Sequence, residues 1–434
     1  MKRVLVISLI AAVCLASCRN TESDVLRDIR FNGSTLTEIH IDNVPAEKVE
    51  MKFSEIFTDF TITALETSDS SLLKTDGGRV WFTENDMFIS YQNASQAGLF
   101  PASLLRFDKQ GNFKNTIGRG GRGPGEHQGY ILSHLICDDD NQTLVAVWEG
   151  GAGNEGPMIY KYDGTWIDQI TYPMDLMGGN ISQYSEREWL WTGVAAGSAR
   201  IQRDSVLMMF FSNEGDIVKL IPRTSYPPAG ESKYTPPAFN SSAYLYKGNY
   251  KVYLPGLDTI YAIKERSMIP SGVIYPGKNG LPFNKYVEPS TINGLHRIDL
   301  VAETDNNIIL TKSVILNAEV SEYRPGQWGG MYSTDEFLIV IDKKSGKAIT
   351  AELKDDVLGL FPDVNLTGLF SLLKNNRISL PFESIRYLNT LKEKGIDKEE
   401  MLKMAVSEER LRNLTAESNP VIVSFILKDH IKID

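Results

Sequence analysis

The chain has 434 residues, with 45 Lys and Arg against 55 Asp and Glu, a formal charge of −10, and 42 % hydrophobic residues. An acidic balance does not attract phosphate backbones, so nucleic acid is excluded as the natural partner, while the apolar fraction is ample for a large core. Three cysteines, Cys14, Cys18 and Cys137, give no disulfide framework.

The chain begins MKRVLVISLIAAVCLASC: two cations, an apolar run from Val4 to Val13, then small residues before Cys18. A charged start with a short apolar core reads as a secretory signal over residues 1–17, because a membrane span needs about 20 apolar residues. Leu15-Ala16-Ser17-Cys18 matches a bacterial lipobox, which makes Cys18 the expected lipidation site and the membrane a partner through that anchor. Removal of the signal takes Lys2 and Arg3 with it and moves the charge from −10 to −12. Residues 18–35 are polar and irregular and are predicted to be a tether. No later stretch is apolar enough to span a bilayer.

From residue 36 onward the chain repeats one pattern: an apolar strand, a turn rich in Asp, Asn or Gly, and a second apolar strand. It occurs at LLRFDKQGNFKNTI, MIYKYDGTWIDQI, LMMFFSNEGDIVKLI, DTIYAIKERSMIPSGVI, FLIVIDKKSGKAITAEL and VIVSFILKDHIKID. The anchors Asp108, Asp163, Asn213, Ile263, Asp342 and Ile426 are spaced by 55, 50, 50, 79 and 84 residues. The first three intervals are close to those of four-stranded propeller blades, and the last two imply insertions. Further strands precede most hairpins, as in VWFTENDMFISYQ and NNIILTKSV. The expected fold is therefore all-β, a six-bladed β-propeller over residues 36–434. A β-sandwich followed by a helical domain is the rival reading.

Between the first two hairpins lies TIGRGGRGPGEHQGYI, in which Gly118, Gly120 and Gly123 have the G-x-G-x-x-G spacing of a dinucleotide-binding turn. That chemistry requires a buried strand before the turn and a helix after it, and Pro124, Gly125 and Gly129 oppose a helix. The stretch reads instead as a loop between β elements. A tight structural crossing between blades would by itself account for the glycines and proline; the chemical reading is that Arg119 and Arg122 sit beside backbone N–H groups able to hold a carboxylate, sulfate or phosphate, with Glu126 and His127 adjacent. Two later loops gather aromatic residues, Tyr226 and Tyr234 in one and Tyr323 with Trp328 in the other. These could form a stacking floor for sugars or a grip on peptide, with Arg324 to pair an acidic group.

Residues 383–413 break the β pattern and read as a small α-hairpin insertion, closed by Gly395 and reopened by Asp397 with Glu400, packed on its own domain. NPVIVSFILKD after it is expected to close the first blade with the last. No Walker loop, H-E-x-x-H, G-x-S-x-G or paired cysteines occur, so no catalytic residues, metal or cofactor are expected. His40, His127, His134, His296 and His430 are scattered, CDDDNQT lacks the pattern of a calcium loop, and Cys137 reads as a small apolar residue.

Three stretches carry a resemblance to a known family: FTDFTITALETSDSSLL at 57–73, LLRFDKQGNFKNTIGRGGRGPGEH at 104–127, and NPVIVSFILKD near the end. They resemble the six-bladed β-propeller lipoproteins of anaerobic gut Gram-negative bacteria, related to NHL-like repeats. The match is loose over 222–300. The resemblance implies an exported, lipid-anchored propeller at the cell envelope, in the outer membrane, and supplies almost no chemistry.

The functional expectation is a ligand-binding or interaction scaffold for a glycan, peptide or envelope protein. The alternative is an envelope lyase or hydrolase whose acids and bases come from separate blades and meet in the channel, an arrangement that leaves no local motif. A structural subunit docking through the α-hairpin is the third reading.

Overall fold

Alternating apolar residues on either side of Asp-rich turns resolve into antiparallel hairpin strands. In the Asp108 turn the carboxylate accepts from the backbone N–H groups of Gln110 and Asn112, each at 2.9 Å, and Gly111 sits at φ 82°. The side chain thus satisfies turn donors while glycine takes the left-handed position. Asp163 and Asp342 do the same for Thr165 and Ser345. The computed structural model describes residues 24–433 except 32–33, 74–77, 92–101, 130, 150–155, 174–179, 186, 193–205, 223–241, 255–257, 282–290, 320–330, 362–365 and 375.

The described chain opens with β1 (Leu26–Phe31), β2 (Ser34–His40), β3 (Lys48–Lys52), the single-turn helix α1 (Phe53–Ile56) and β4 (Phe57–Ala64). Blade 1 follows as β5 (Gly78–Phe82), β6 (Asp86–Tyr91), β7 (Ser103–Asp108) and β8 (Phe113–Ile117). Two-residue strands β9 (Arg119–Gly120) and β10 (Glu126–His127) lie in the crossing to blade 2, which comprises β11 (Ile131–Asp138), β12 (Thr143–Glu149), β13 (Met158–Lys161) and β14 (Trp166–Gln169). Blade 3 is β15 (Asn180–Ser185), β16 (Glu188–Thr192), β17 (Val206–Ser212) and β18 (Ile217–Pro222). Blade 4 is β19 (Ser242–Tyr246), β20 (Asn249–Leu254), β21 (Thr259–Lys264) and β22 (Ser267–Tyr275). Blade 5 is β23 (His296–Glu303), β24 (Asn307–Glu319), β25 (Met331–Asp342) and β26 (Ala348–Lys354). After helix α2 (Leu366–Ser371), blade 6 is built from β27 (Arg377–Phe382), helices α3 (Ser384–Lys394), α4 (Lys398–Leu402) and α5 (Glu408–Arg412), and β28 (Val421–Leu427). The architecture is a six-bladed β-propeller, as the repeat predicts.

The N-terminal segment covers the outer edges of three successive blades. β2 runs parallel to β22 on blade 4, β3 runs parallel to β26 on blade 5, and β4 pairs antiparallel with β28 in blade 6. The last pairing closes the ring, as expected of NPVIVSFILKD. Ile422, Val423 and Phe425 are fully buried there, and Phe425 packs 4.7 Å from Phe57 and 5.7 Å from Phe53 between ring centroids. Each such side chain contributes about 1.5–3 kcal/mol by burial.

Three expectations need correction. The predicted tether contains β1, which pairs with β2 over Leu26↔Ile39 to Phe31↔Ser34. A polar segment is ordered here because Val25 and Ile39 enter the core between blades 4 and 5. The predicted α-hairpin is a run of three helices. It packs Tyr387, Leu391, Met401 and Leu411 onto blade 6, and Met404 and Val406 hydrogen-bond the exposed edge of β4 at Ile62. The last predicted hairpin has only its first strand. Residues after β28 run to blade 5, where the Asn307 side chain both donates to and accepts from the Ile431 backbone.

Candidate functional site

The glycine-rich crossing from blade 1 to blade 2 is tied down by its own atoms. The Glu126 carboxylate accepts the Gly123 N–H at 2.8 Å, and Gly121 donates to the His127 carbonyl at 2.9 Å. Two of the N–H groups expected to be open to an anion, those of Gly121 and Gly123, are thus taken. A Cβ on Gly121 would fall 2.0 Å from Glu126 Oε2, so the carboxylate lies directly on the glycine backbone. Gly125, at φ 74°, lies against Trp166, and its carbonyl accepts from Tyr160 Oη at 3.0 Å.

His127 is fully buried and stacks flat on Trp148, with centroids 3.5 Å apart and planes 6° from parallel. Neither ring nitrogen makes a well-formed hydrogen bond to a described residue. Burial pushes its pKa down to about 4, with a small opposing effect of the Gly129 backbone, so the ring is neutral at pH 7. Arg119 and Arg122 are exposed and have no ion pair among the described residues. The structure therefore brings Glu126 and His127 into the loop's own packing and leaves both arginines at the surface. Arg324 and Trp328, with Tyr323, Tyr226 and Tyr234, lie outside the described residues, as does Cys18.

A more open constellation stands between blades 4 and 5. Here the face of the blade 4 sheet, extended by β2 and β1, meets two turns of blade 5 around a cleft of about 530 Å³. The sheet order β1-β2-β22-β21-β20-β19 sets the cleft floor, and its register puts Asp28, Thr37, Gly272 and Ile260 side by side. Leu26 and Asp28, alternate residues of β1, face this cleft together with Asp24 just before the strand, while Val25 enters the core. Ile39, Ile260 and Ile308 make the floor apolar.

At the inner end Glu303 closes β23 and is 11 % exposed. It accepts from Lys251 Nζ at 2.5 Å, Lys343 Nζ at 2.8 Å and Tyr244 Oη at 3.3 Å. Burial and the adjacent carboxylate push the Tyr244 phenol well above its ordinary value, so it remains a donor. Lys343 also reaches Tyr246 Oη at 3.0 Å, and the Tyr246 ring carries Lys343 Nζ at 4.2 Å and Lys251 Nζ at 4.6 Å from its centroid. Lys343 spends its three donors on Glu303, Tyr246 and the Thr304 carbonyl, whereas among the described residues Lys251 makes one such bond, to Glu303, and keeps donors available. Lys344, in the same turn as Lys343, lines the cleft and is exposed. Sequence reasoning missed this set because its members are spread from Asp24 to Gly346. The local hint was Tyr244, Tyr246 and Lys251 alternating across the β19–β20 turn.

Two further groups, Asp86 and Cys137, are held by their surroundings. Asp86 is buried between Arg106 at 2.7 Å and Lys114 at 2.8 Å. Burial alone would raise its pKa, but these two partners hold it below the usual carboxylate range. Burial pushes the Cys137 thiol up to about 12, which leaves it unreactive. Among the described residues no group of three His, Cys, Asp or Glu is placed to hold a metal, and no helix is long and apolar enough to cross a membrane.

With the fold and the cleft in place, the class of protein is a β-propeller closed by its N-terminal strands. The sequence matches the domain of unknown function DUF4934 over residues 36–425, and the chain belongs to that family. Its structure is similar to that of a Bacteroides fragilis protein described as exported, at 15 % identity and a TM-score of 0.55, covering 90 % of this chain and 99 % of that one. It is also similar to a Bacteroides vulgatus member of the DUF4221 family, at 12 % identity and a TM-score of 0.50, covering 86 % and 98 %. At these identities the likeness is one of fold. No curated protein matches the sequence.

Proposed function

We propose that the protein is an exported, lipid-anchored propeller that acts as a binding scaffold at the cell envelope and takes a small polar ligand in the cleft between blades 4 and 5. The cleft carries this reading. It has the size of a ligand site, an apolar floor, and polar groups brought together from the strands of blade 4 and two turns of blade 5. Export is supported by the signal-like residues 1–17 and by the likeness to an exported Bacteroides protein, and anchoring by the lipobox ending at Cys18.

Two measurements test the proposal. A thermal-shift screen of the purified chain against glycan fragments, short peptides and nucleotides should find a ligand. At a hundred times its dissociation constant it adds about 2.7 kcal/mol of stability. That shift should vanish in Lys251→Met and persist in Arg119→Ala/Arg122→Ala; the opposite pattern would move the site to the glycine-rich loop. For the anchor, the chain should partition into a detergent phase and Cys18→Ser into the aqueous phase. Equal partitioning of both would remove the lipid from the account.

A further inference from the structure

The polarity of the cleft narrows what it takes, and this step rests on the ligand-binding reading above. At its outer end stand Asp24 and Asp28, both exposed; Asp28 spends one carboxylate oxygen on Thr37 Oγ1 at 2.8 Å. At its inner end three lysines, Lys251, Lys343 and Lys344, face the single carboxylate of Glu303. The cleft thus runs from net negative on β1 to net positive beside β20. Four strand-to-strand steps separate β1 from β20, about 19 Å at roughly 4.8 Å per step.

An extended ligand of that reach with a cation at one end and an anion at the other complements both ends. The apolar floor between them, Leu26, Ile39 and Ile260, suits aliphatic groups. A sugar would want an open aromatic face. Tyr246 is already covered by ammonium groups, and the Tyr244 hydroxyl is committed to Glu303.

We infer that the cleft binds a short peptide with free termini, about four to six residues long at roughly 3.3 Å per residue, its α-ammonium at Asp24 and Asp28 and its α-carboxylate at Lys251 and Lys344. The spare donors of Lys251 make it the main carboxylate contact, with Lys343 held in place by Glu303, Tyr246 and Thr304. Glu303 holds both lysines in position without itself meeting the peptide.

The test is calorimetric titration of the purified full chain at low ionic strength and pH 7 with penta-alanine in four forms: free, N-acetylated, C-amidated and doubly capped. Free penta-alanine should bind, and each cap should weaken binding by roughly five- to tenfold, the size expected for a partly exposed charge pair. Asp24→Asn/Asp28→Asn should erase the difference between free and acetylated peptide while keeping that between free and amidated. Lys251→Met should do the reverse. Melting temperatures close to the parent value verify folding of each variant. Equal binding of free and doubly capped peptide overturns the inference. So does binding of a neutral or singly charged glycan fragment in place of any peptide, lost in Lys251→Met, although the cleft would then stand as a ligand site. If neither peptides nor glycans bind, both readings fall.

Discussion

The glycine-rich crossing and the cleft between blades 4 and 5 are both rich in charge and both lie where blades meet, yet they differ in what their polar groups do. In the crossing, Glu126 turns back onto Gly121 and Gly123, Tyr160 caps the Gly125 carbonyl, and His127 is sealed against Trp148. The loop satisfies itself and closes. In the cleft, Glu303 immobilises two lysines, but Lys251 retains donors, Lys344 is unpaired among the described residues, and Asp24 and Asp28 face an open volume. A motif that looks like a site can thus be a hinge for packing, while a site can be assembled from turns with no motif.

Substitutions can break this comparison from either side. Trp148→Ala removes the platform under His127 and should cost about 3–5 kcal/mol in chemical denaturation while leaving penta-alanine affinity unchanged. A matching loss of binding would join the two regions. Acidification acts next. His127 has its folded pKa depressed to about 4, so the unfolded chain binds the extra proton first. Its contribution is complete above the unfolded value of 6.5 and is lost as pH falls toward 4, about 3 kcal/mol at 1.36 kcal/mol per unit. His296, depressed to about 4 chiefly by burial, adds a parallel loss. His127→Phe keeps the stack and should roughly halve the fall in unfolding free energy between pH 6.5 and 4; an unchanged slope would show that His127 does not carry it.

Gly125→Ala puts a Cβ 2.6 Å from that of Trp166 at a left-handed φ, for an expected loss of about 2 kcal/mol by thermal or urea unfolding. Lys251→Met should weaken penta-alanine about tenfold but shift unfolding by no more than about 1 kcal/mol, because Lys343 still neutralises Glu303. The smallest effect belongs to Arg119→Ala/Arg122→Ala, within about 0.5 kcal/mol in stability and without change in binding. A large loss of binding there would restore the loop as the site.

What was legible in the sequence is what local physics determines. Asp108, Asp163 and Asp342 announce their turns because the same residue bonds the turn N–H groups, and alternation around them marks the strands. The order of β1 was hidden, since Arg27, Asp28 and Arg30 make the segment look solvated. Its support comes from β2 pairing with β22 more than two hundred residues away. The same distance hid the cleft. Asp28 and Gly272 become near neighbours only through Thr37, and Glu303 meets Lys343 only across a blade. In the loop, the sequence named Glu126 and His127 as neighbours of the arginines but could not show that the Glu126 carboxylate would take the Gly123 N–H itself.

The central claim, that ligand enters the cleft and not the glycine-rich crossing, is tested most directly by amide hydrogen exchange of the full chain with and without saturating penta-alanine. The account predicts slower exchange in β1, β2 and residues 343–346, with no change across 118–129. Protection confined to 118–129, with the cleft strands unaffected, would contradict it.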